Sequence, residues 1–420
     1  MFALTNVMRD YPWGSSTAIA ELLGAQPSGG PEAELWMGAH PDSPSIASTP
    51  DGPVSLDQLI SEHPLSTLGE EVHAAFGAKL PFLVKLLAAN QALSLQVHPT
   101  LERASERFAD EEAAGVPRDA AHRNYKDENH KPEMILALTP FEALCGFRPC
   151  AEAAELFRAV GAAIASTGAE VPELLGQVEM TLNSRMAEPM VVRKAFEMLI
   201  GGGPATTELV GLAAAALSAS SGELSASLLT VVELAKQYPG DSGVLVSLLL
   251  NRVSLEPGEA IYLPAGNIHA YLSGLGLEVM ASSDNVLRGG LTGKHVDVPE
   301  LLETVDFAPS AVPVVPTRVT DLGQKVWEPP FAEFALQRVE ISSDSEPVPL
   351  VQNGPMIVLA VSGSVLLDSP RGDMVLSRGG SVFVPAAENP VMVHPVVNRS
   401  EDSSAPDPAP AVVFAITVAA

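Results

Sequence analysis

Leu255-Glu-Pro-Gly-Glu-Ala-Ile-Tyr-Leu-Pro-Ala265 is answered later in the chain by Leu376-Ser-Arg-Gly-Gly-Ser-Val-Phe-Val-Pro-Ala386. The two stretches share a glycine in a turn, bulky apolar residues after it and a closing Pro-Ala. In Glu256-Pro-Gly-Glu259 the proline presets φ and the glycine tolerates a positive one, which is what a tight turn between strands requires. A strand, turn and strand used twice points to two jelly-roll β-barrels, one way in which an antiparallel chain manages its sheet edges.

The sequence on either side of this unit changes period twice. Up to about residue 150, short apolar runs such as 82–87 and 134–138 alternate with Gly and Pro, which reads as strands and loops, with short helices at 56–60 and 101–110. From 151 to 238 the chain is rich in Ala, Leu and Glu at helical spacing. Leu156, Val160, Ala163 and Ile164 make one stripe, Val192, Phe196, Leu199 and Ile200 a second, and Leu228, Val231, Val232 and Ala235 a third. Breaks at Gly201-Gly-Gly-Pro204 and Ser220-Ser-Gly222 separate at least three helices. Strand character returns at 244–250, 253–255 and 260–263, and 412–418 reads as a closing strand after the polar, Pro-rich loop 398–410. The expected fold is therefore mainly β with a helical insertion. Its domains are a jelly roll built from 1–150 and 240–308, a helical insertion at 151–239 and a C-terminal jelly roll at 309–420.

Composition excludes several function classes. With 24 Lys and Arg against 51 Asp and Glu, the formal charge of -27 argues against nucleic acid or an anionic membrane as partner. No basic segment followed by an apolar run opens the chain, and no apolar run reaches membrane-spanning length, so neither a signal peptide nor a membrane span is expected and the protein reads as cytoplasmic. Cys145 and Cys150 lack the Cys-x-x-Cys spacing and read as reduced thiols.

Three short segments hold the makings of a metal site: Ser94-Leu-Gln-Val-His-Pro99, Asn129-His-Lys-Pro-Glu133 and Pro264-Ala-Gly-Asn-Ile-His269. On a strand, Gln96 and His98 present side chains to one face about 6–7 Å apart. Glu133 and His269 would complete four oxygen and nitrogen ligands, a set that suits one zinc ion per chain. Only Glu133 is charged, so a dication held there would keep a net charge near +1 and act as a strong Lewis acid.

These segments fall in order with Tyr11-Pro-Trp-Gly14, Glu34-Leu-Trp-Met-Gly-Ala-His-Pro41, Pro81-Phe-Leu-Val-Lys85, Leu93-Ser-Leu-Gln-Val-His-Pro99, Gly258-Glu-Ala-Ile-Tyr-Leu-Pro264 and Asp284-Asn-Val-Leu-Arg-Gly-Gly-Leu-Thr292. Over residues 1–150 and 243–308 the chain resembles the type I phosphomannose isomerases, zinc-dependent enzymes that interconvert mannose 6-phosphate and fructose 6-phosphate. The resemblance implies two cupin-like barrels, one catalytic and one degenerate, with Pro390 at the position of His269 and no second metal. It implies zinc on Gln96, His98, Glu133 and His269, and a monomer acting on a sugar phosphate.

The resemblance also makes Arg288 the catalytic arginine. A guanidinium cannot act as a base at neutral pH, so its part is electrostatic, steadying an ene-diolate or holding the open-chain sugar. Lys131 and Glu278 are the other catalytic candidates, and the choice of base between them and a zinc-bound water stays open. Ser94, Lys85 and Lys294 match phosphate-binding positions, with Arg288 as an assisting cation, and Tyr271 and Trp13 are candidate pocket residues. His40, His122, His130 and His394 read as structural or exposed, and Ala109-Asp-Glu-Glu112 as a solvated helix face. Two alternatives share the scaffold, an isomerase for another sugar phosphate and a sugar-binding cupin without catalysis.

Overall fold

A computed structural model describes residues 1–396 and 409–419, so most of the expected loop 398–410 lies outside the described residues. Its strands form sheets of eleven, nine and four. The spine of the first is the strand His269–Ala281, which pairs antiparallel with Leu95–Val97, Phe141–Phe147, Phe82–Ala89 and Glu133–Ala137. Phe82–Ala89 is buried along its whole length, which is why it reads as an apolar run and not as an alternation. Phe82, Val84, Leu86, Leu277 and Val279 from this sheet share one core with Trp327, Ile357, Leu359, Phe414 and Ile416 from the nine-stranded sheet.

In both echoed stretches a glycine turn joins two strands that pair with different neighbours. Leu250–Leu255 pairs with Phe141–Phe147, and after the turn at Gly258 the strand Ala260–Leu263 pairs with Glu133–Ala137. In the second copy Gly372–Ser377 lies in the four-stranded sheet, and after Gly379 the strand Ser381–Val384 enters the nine-stranded one. Gly258 and Gly379 have φ of 96° and 83°, a conformation that strongly favours glycine.

Several expectations need correction. Residues 244–250 are not a strand: Gly243–Val246 is a helical turn and Ser247–Leu249 a 3-10 turn, with the strand starting at Leu250. The run is buried on every side, and an apolar run without alternation does not distinguish a buried strand from a buried helical turn. The helical region holds five helices between Cys150 and Gln237. In the first, the buried face is Ala153, Phe157, Val160 and Ile164, with Leu156 and Ala163 at its margin. The N-terminal strand Phe2–Thr5 pairs with Ser381–Val384, so the first residues of the chain complete the sheet of its last third. Among the described residues no helix is long and apolar enough to cross a membrane.

Candidate active site

Strand register brings the dispersed segments together. Gln96 pairs across the ladder with His269 on one side and with Arg288 on the other. Glu133 opens its strand opposite Leu263 and Met280, and Glu278 stands opposite Lys85. A cavity of about 470 Å3 is lined by Gln96, Glu133, His269, Arg288, Lys131 and Glu278, and its walls also include Ser94, Lys85, Lys294, Tyr271 and Trp13. His98 is the one sequence candidate outside that lining. It is fully buried against Glu133, with Nε2 3.3 Å from Oε1, while His269 Nε2 lies 3.4 Å from Oε2.

The two rings are oriented for a metal. His98 Nδ1 lies 2.8 Å from the main-chain oxygen of Asn285, and His269 Nδ1 lies 3.0 Å from that of Asn267. A carbonyl only accepts, so each Nδ1 carries the proton and each Nε2 turns a lone pair toward Glu133. His98 Nε2 is buried without a hydrogen-bond partner, and the ligand atoms of His98, Glu133 and His269 all lie within 4.8 Å of one another. Burial pushes the His98 ring down to about 4, which keeps it neutral. Burial acts upward on Glu133, but the charge of Lys131 and the ring nitrogens that face the carboxylate hold it well below its usual range. Two imidazole nitrogens converging on an ionised carboxylate fit zinc.

Charges in the cavity sort into two groups. Beside the His-Glu-His cluster, Lys131 Nζ stands 3.2 Å from Glu133, and Lys85 Nζ stands 3.3 Å from Glu278 and 3.7 Å from Glu34, above the Trp36 ring. Burial acts downward on Lys85, yet Glu34 and Glu278 raise it, so it stays an ammonium. Burial raises Glu278 against the opposing pull of Lys85. The second group is Arg288, Lys294 and Lys126, which make no ion pair among the described residues. Burial lowers both Arg288 and Lys294, and Lys294 is lowered further by the charges of Arg288 and Lys126. Cations placed to repel one another await an anion.

Lys126, Glu34, Asp284 and Asn285 were missed by sequence reasoning. Glu34 opens a segment that was quoted without a role, and Lys126 lies just upstream of Asn129-His-Lys-Pro-Glu133. The fully buried Asn285 ties that loop in place: its Oδ1 accepts from the Lys126 amide at 2.7 Å, and its Nδ2 donates to the carbonyls of Asp127 and Asn129. Nothing in the spacing predicts this. His40 proves buried, facing Asp284 at 3.4 Å, and His130 faces Glu333 at 2.5 Å. Cys145 and Cys150 are free and buried, and burial raises both thiols.

The profile described as phosphomannose isomerase type I, catalytic domain, matches residues 1–150. The mannose-6-phosphate isomerase of Salmonella typhimurium is 40% identical over 398 residues, 93% of this chain and 96% of that protein. The chain belongs to the type I phosphomannose isomerase family. The Homo sapiens member is 33% identical over 410 residues, 93% of this chain and 94% of its own. Among solved members of the family, the Salmonella typhimurium mannose 6-phosphate isomerase bound to fructose 6-phosphate and zinc superposes with a TM-score of 0.85 at 36% identity, covering all of both chains. A zinc-bound mannose 6-phosphate isomerase gives 0.85 at 35% identity, covering 100% of this chain and 99% of that one.

Proposed function

We propose that the protein is a zinc-dependent isomerase that interconverts D-mannose 6-phosphate and D-fructose 6-phosphate, moving a proton between C1 and C2 through an ene-diolate. The observation that carries this reading is the presence, in one cavity, of a His-Glu-His cluster with converging lone pairs and a separate group of unpaired cations. Relatives that bind zinc and fructose 6-phosphate support it. Bound by Gln96, His98, Glu133 and His269, zinc would supply a Lewis acid for the sugar oxygens.

In this reading Arg288, Lys294 and Lys126 hold the phosphate dianion, with Ser94 as a hydroxyl donor. Lys85 keeps Glu278 oriented by a buried ion pair. Glu278 takes the proton: burial raises its pKa, the direction that favours a general base, and Lys131 is engaged by Glu133 at 3.2 Å. Arg288 steadies negative charge on the substrate, and Trp13 and Tyr271 wall the pocket. Domains at 1–150 with 240–308, 151–239 and 309–420, two cupin-like jelly rolls and a monomer complete the proposal. The repeated glycine turn at Gly258 and Gly379, each joining strands with different partners, supports the paired barrels.

The test is direct. Mannose 6-phosphate is mixed with the purified protein and fructose 6-phosphate followed, then again after chelation and after adding Zn²⁺. Activity should vanish on chelation and return with zinc, and turnover in D2O should place deuterium on the product. No turnover by the zinc-loaded protein would reject the reaction in favour of another sugar phosphate or of binding alone, and deuterium at the carbon that receives the proton would exclude a hydride shift.

The cationic group yields its own expectation. Lys126→Ala should raise KM for mannose 6-phosphate roughly five- to tenfold, equivalent to about 1 to 1.4 kcal/mol, with kcat little changed. Because it removes one cation, the variant should also show a weaker rise of KM with salt than the parent. An unchanged KM at low salt would remove Lys126 from the phosphate site.

A further inference from the structure

The helical block reaches the cavity through its last segment. Gln237 Oε1 accepts from the amide of Ala92 at 2.8 Å, and the Tyr238 hydroxyl donates to the Ala92 carbonyl at 2.6 Å, two residues before Ser94. Just past the neighbouring strand Leu287–Gly290, which pairs with Leu95–Val97, Asp241 Oδ1 accepts from the amide of Leu291 at 2.8 Å and Oδ2 from that of Thr292 at 3.2 Å. Oδ1 also accepts from Gly243 at 2.7 Å, which locks the carboxylate to its own turn. Residues 237–243 thus hold the ends of two neighbouring strands, beside which Ser94, Arg288 and Lys294 are set.

Leu291 is where this grip matters most. It has φ of 52°, and it is the one residue other than glycine with positive φ among the described residues. A leucine in that region is strained by contact of its Cβ with the backbone, so something outside the turn must hold it there. Its side chain is buried in the core that also contains Val244 and Leu245, and its amide is held by Asp241. The approach is close: a Cβ on Gly290 would lie 2.9 Å from Gly243 Cα, and one on Gly243 would lie 2.8 Å from the Leu291 amide nitrogen. Arg288 lies three residues before Leu291 and Lys294 three after it, so the direction of this one turn sets the spacing of the two cations.

We infer that Asp241 is a positioning residue for the phosphate end of the cavity, its carboxylate holding the strained turn at Leu291 so that Arg288 and Lys294 converge on one anion. The segment that leads out of the helical insertion then shapes substrate affinity without touching the reacting carbons. The inference rests on the proposed reaction and deepens it.

The test compares zinc-loaded wild type, Asp241→Ala and Asp241→Asn for KM and kcat with mannose 6-phosphate, for inhibition by inorganic phosphate and for zinc content. Asp241→Ala should raise KM and the phosphate inhibition constant together, by roughly tenfold each. Zinc content and kcat should change far less. Asp241→Asn, which is isosteric and keeps one acceptor oxygen, should fall between the two, and it carries the test alone should the alanine variant fail to fold. The exposed Glu233→Ala on the preceding helix should match wild type. An Asp241→Asn protein with unchanged KM and phosphate inhibition overturns the inference, as does one that loses zinc and kcat while KM holds. A wild type that neither turns over mannose 6-phosphate nor is inhibited by phosphate would fail earlier, and would count against the proposed reaction.

Discussion

Replacing His269 with alanine should give a folded protein that no longer retains zinc and no longer isomerises mannose 6-phosphate. His269 offers Nε2 only because its Nδ1 is committed to the Asn267 carbonyl, and its partner across the cluster, Glu133, is buried between two rings and Lys131. Removing the ring takes away one of three converging ligand atoms, so affinity should fall by more than the 10–100-fold that follows loss of a mere orienting partner of a ligand. A second readout does not depend on activity. Zinc at a hundred times its Kd should stabilise wild type by about 2.7 kcal/mol, and should leave the thermal midpoint of His269→Ala almost unmoved. A variant with full zinc content, or one whose midpoint still climbs with zinc, would take His269 out of the ligand set.

How much of this was legible beforehand depends on how local the cause is. The Gln96 and His98 spacing, the turn at Gly258 and its echo at Gly379, and the helical stripes are set by residues within a few positions of one another, and periodicity exposes them. The partners of Lys85 are different. They come from the register of three strands, Glu34–Gly38, Phe82–Ala89 and His269–Ala281, and no spacing along the chain places Glu278 opposite Lys85. A sequence reader therefore takes Lys85 as an available phosphate ligand, whereas two carboxylates already hold its ammonium. Residues 244–250 failed for the opposite reason. Their pattern is local, but complete burial removes the contrast of faces from which strand and helix are told apart. Asp241 and Asn285 were invisible because each works through main-chain amides or carbonyls, which carry no residue signature.

The same distinction separates the two poles of the cavity chemically. Around Glu133 and Glu278 every charge has a partner, so that pole is built to hold charges at fixed positions within a buried setting. Among the described residues Arg288, Lys294 and Lys126 make no ion pair with a carboxylate, and burial partly desolvates Arg288 and Lys294. Like charges kept together cost free energy until a dianion arrives, so binding of the phosphate relieves a strain that the fold maintains through Asp241 and Asn285. In the proposed reading, substrate phosphate would thereby orient the sugar carbons over the other pole, a use of binding energy remote from the reacting atoms.

Arg288→Ala should separate these roles. Arg288 sits opposite Gln96 in the ladder, between the two poles, and burial with no carboxylate partner among the described residues leaves its guanidinium available to substrate. Its removal leaves the His-Glu-His cluster and both orienting carbonyls untouched, so zinc content and zinc-dependent stabilisation should match wild type. Turnover should fall by roughly 100- to 1,000-fold, the scale of losing one preorganised donor to developing negative charge. KM should also rise, because one of three cations has left the phosphate group. Arg288→Lys discriminates further: it restores the charge but not the planar fork, so it should recover affinity more than kcat if the arginine steadies the ene-diolate through directed N–H groups. Normal kcat in Arg288→Ala would confine the residue to binding, whereas loss of zinc together with kcat would mean that Arg288 supports the ligand strand through Gln96 and not the reaction itself.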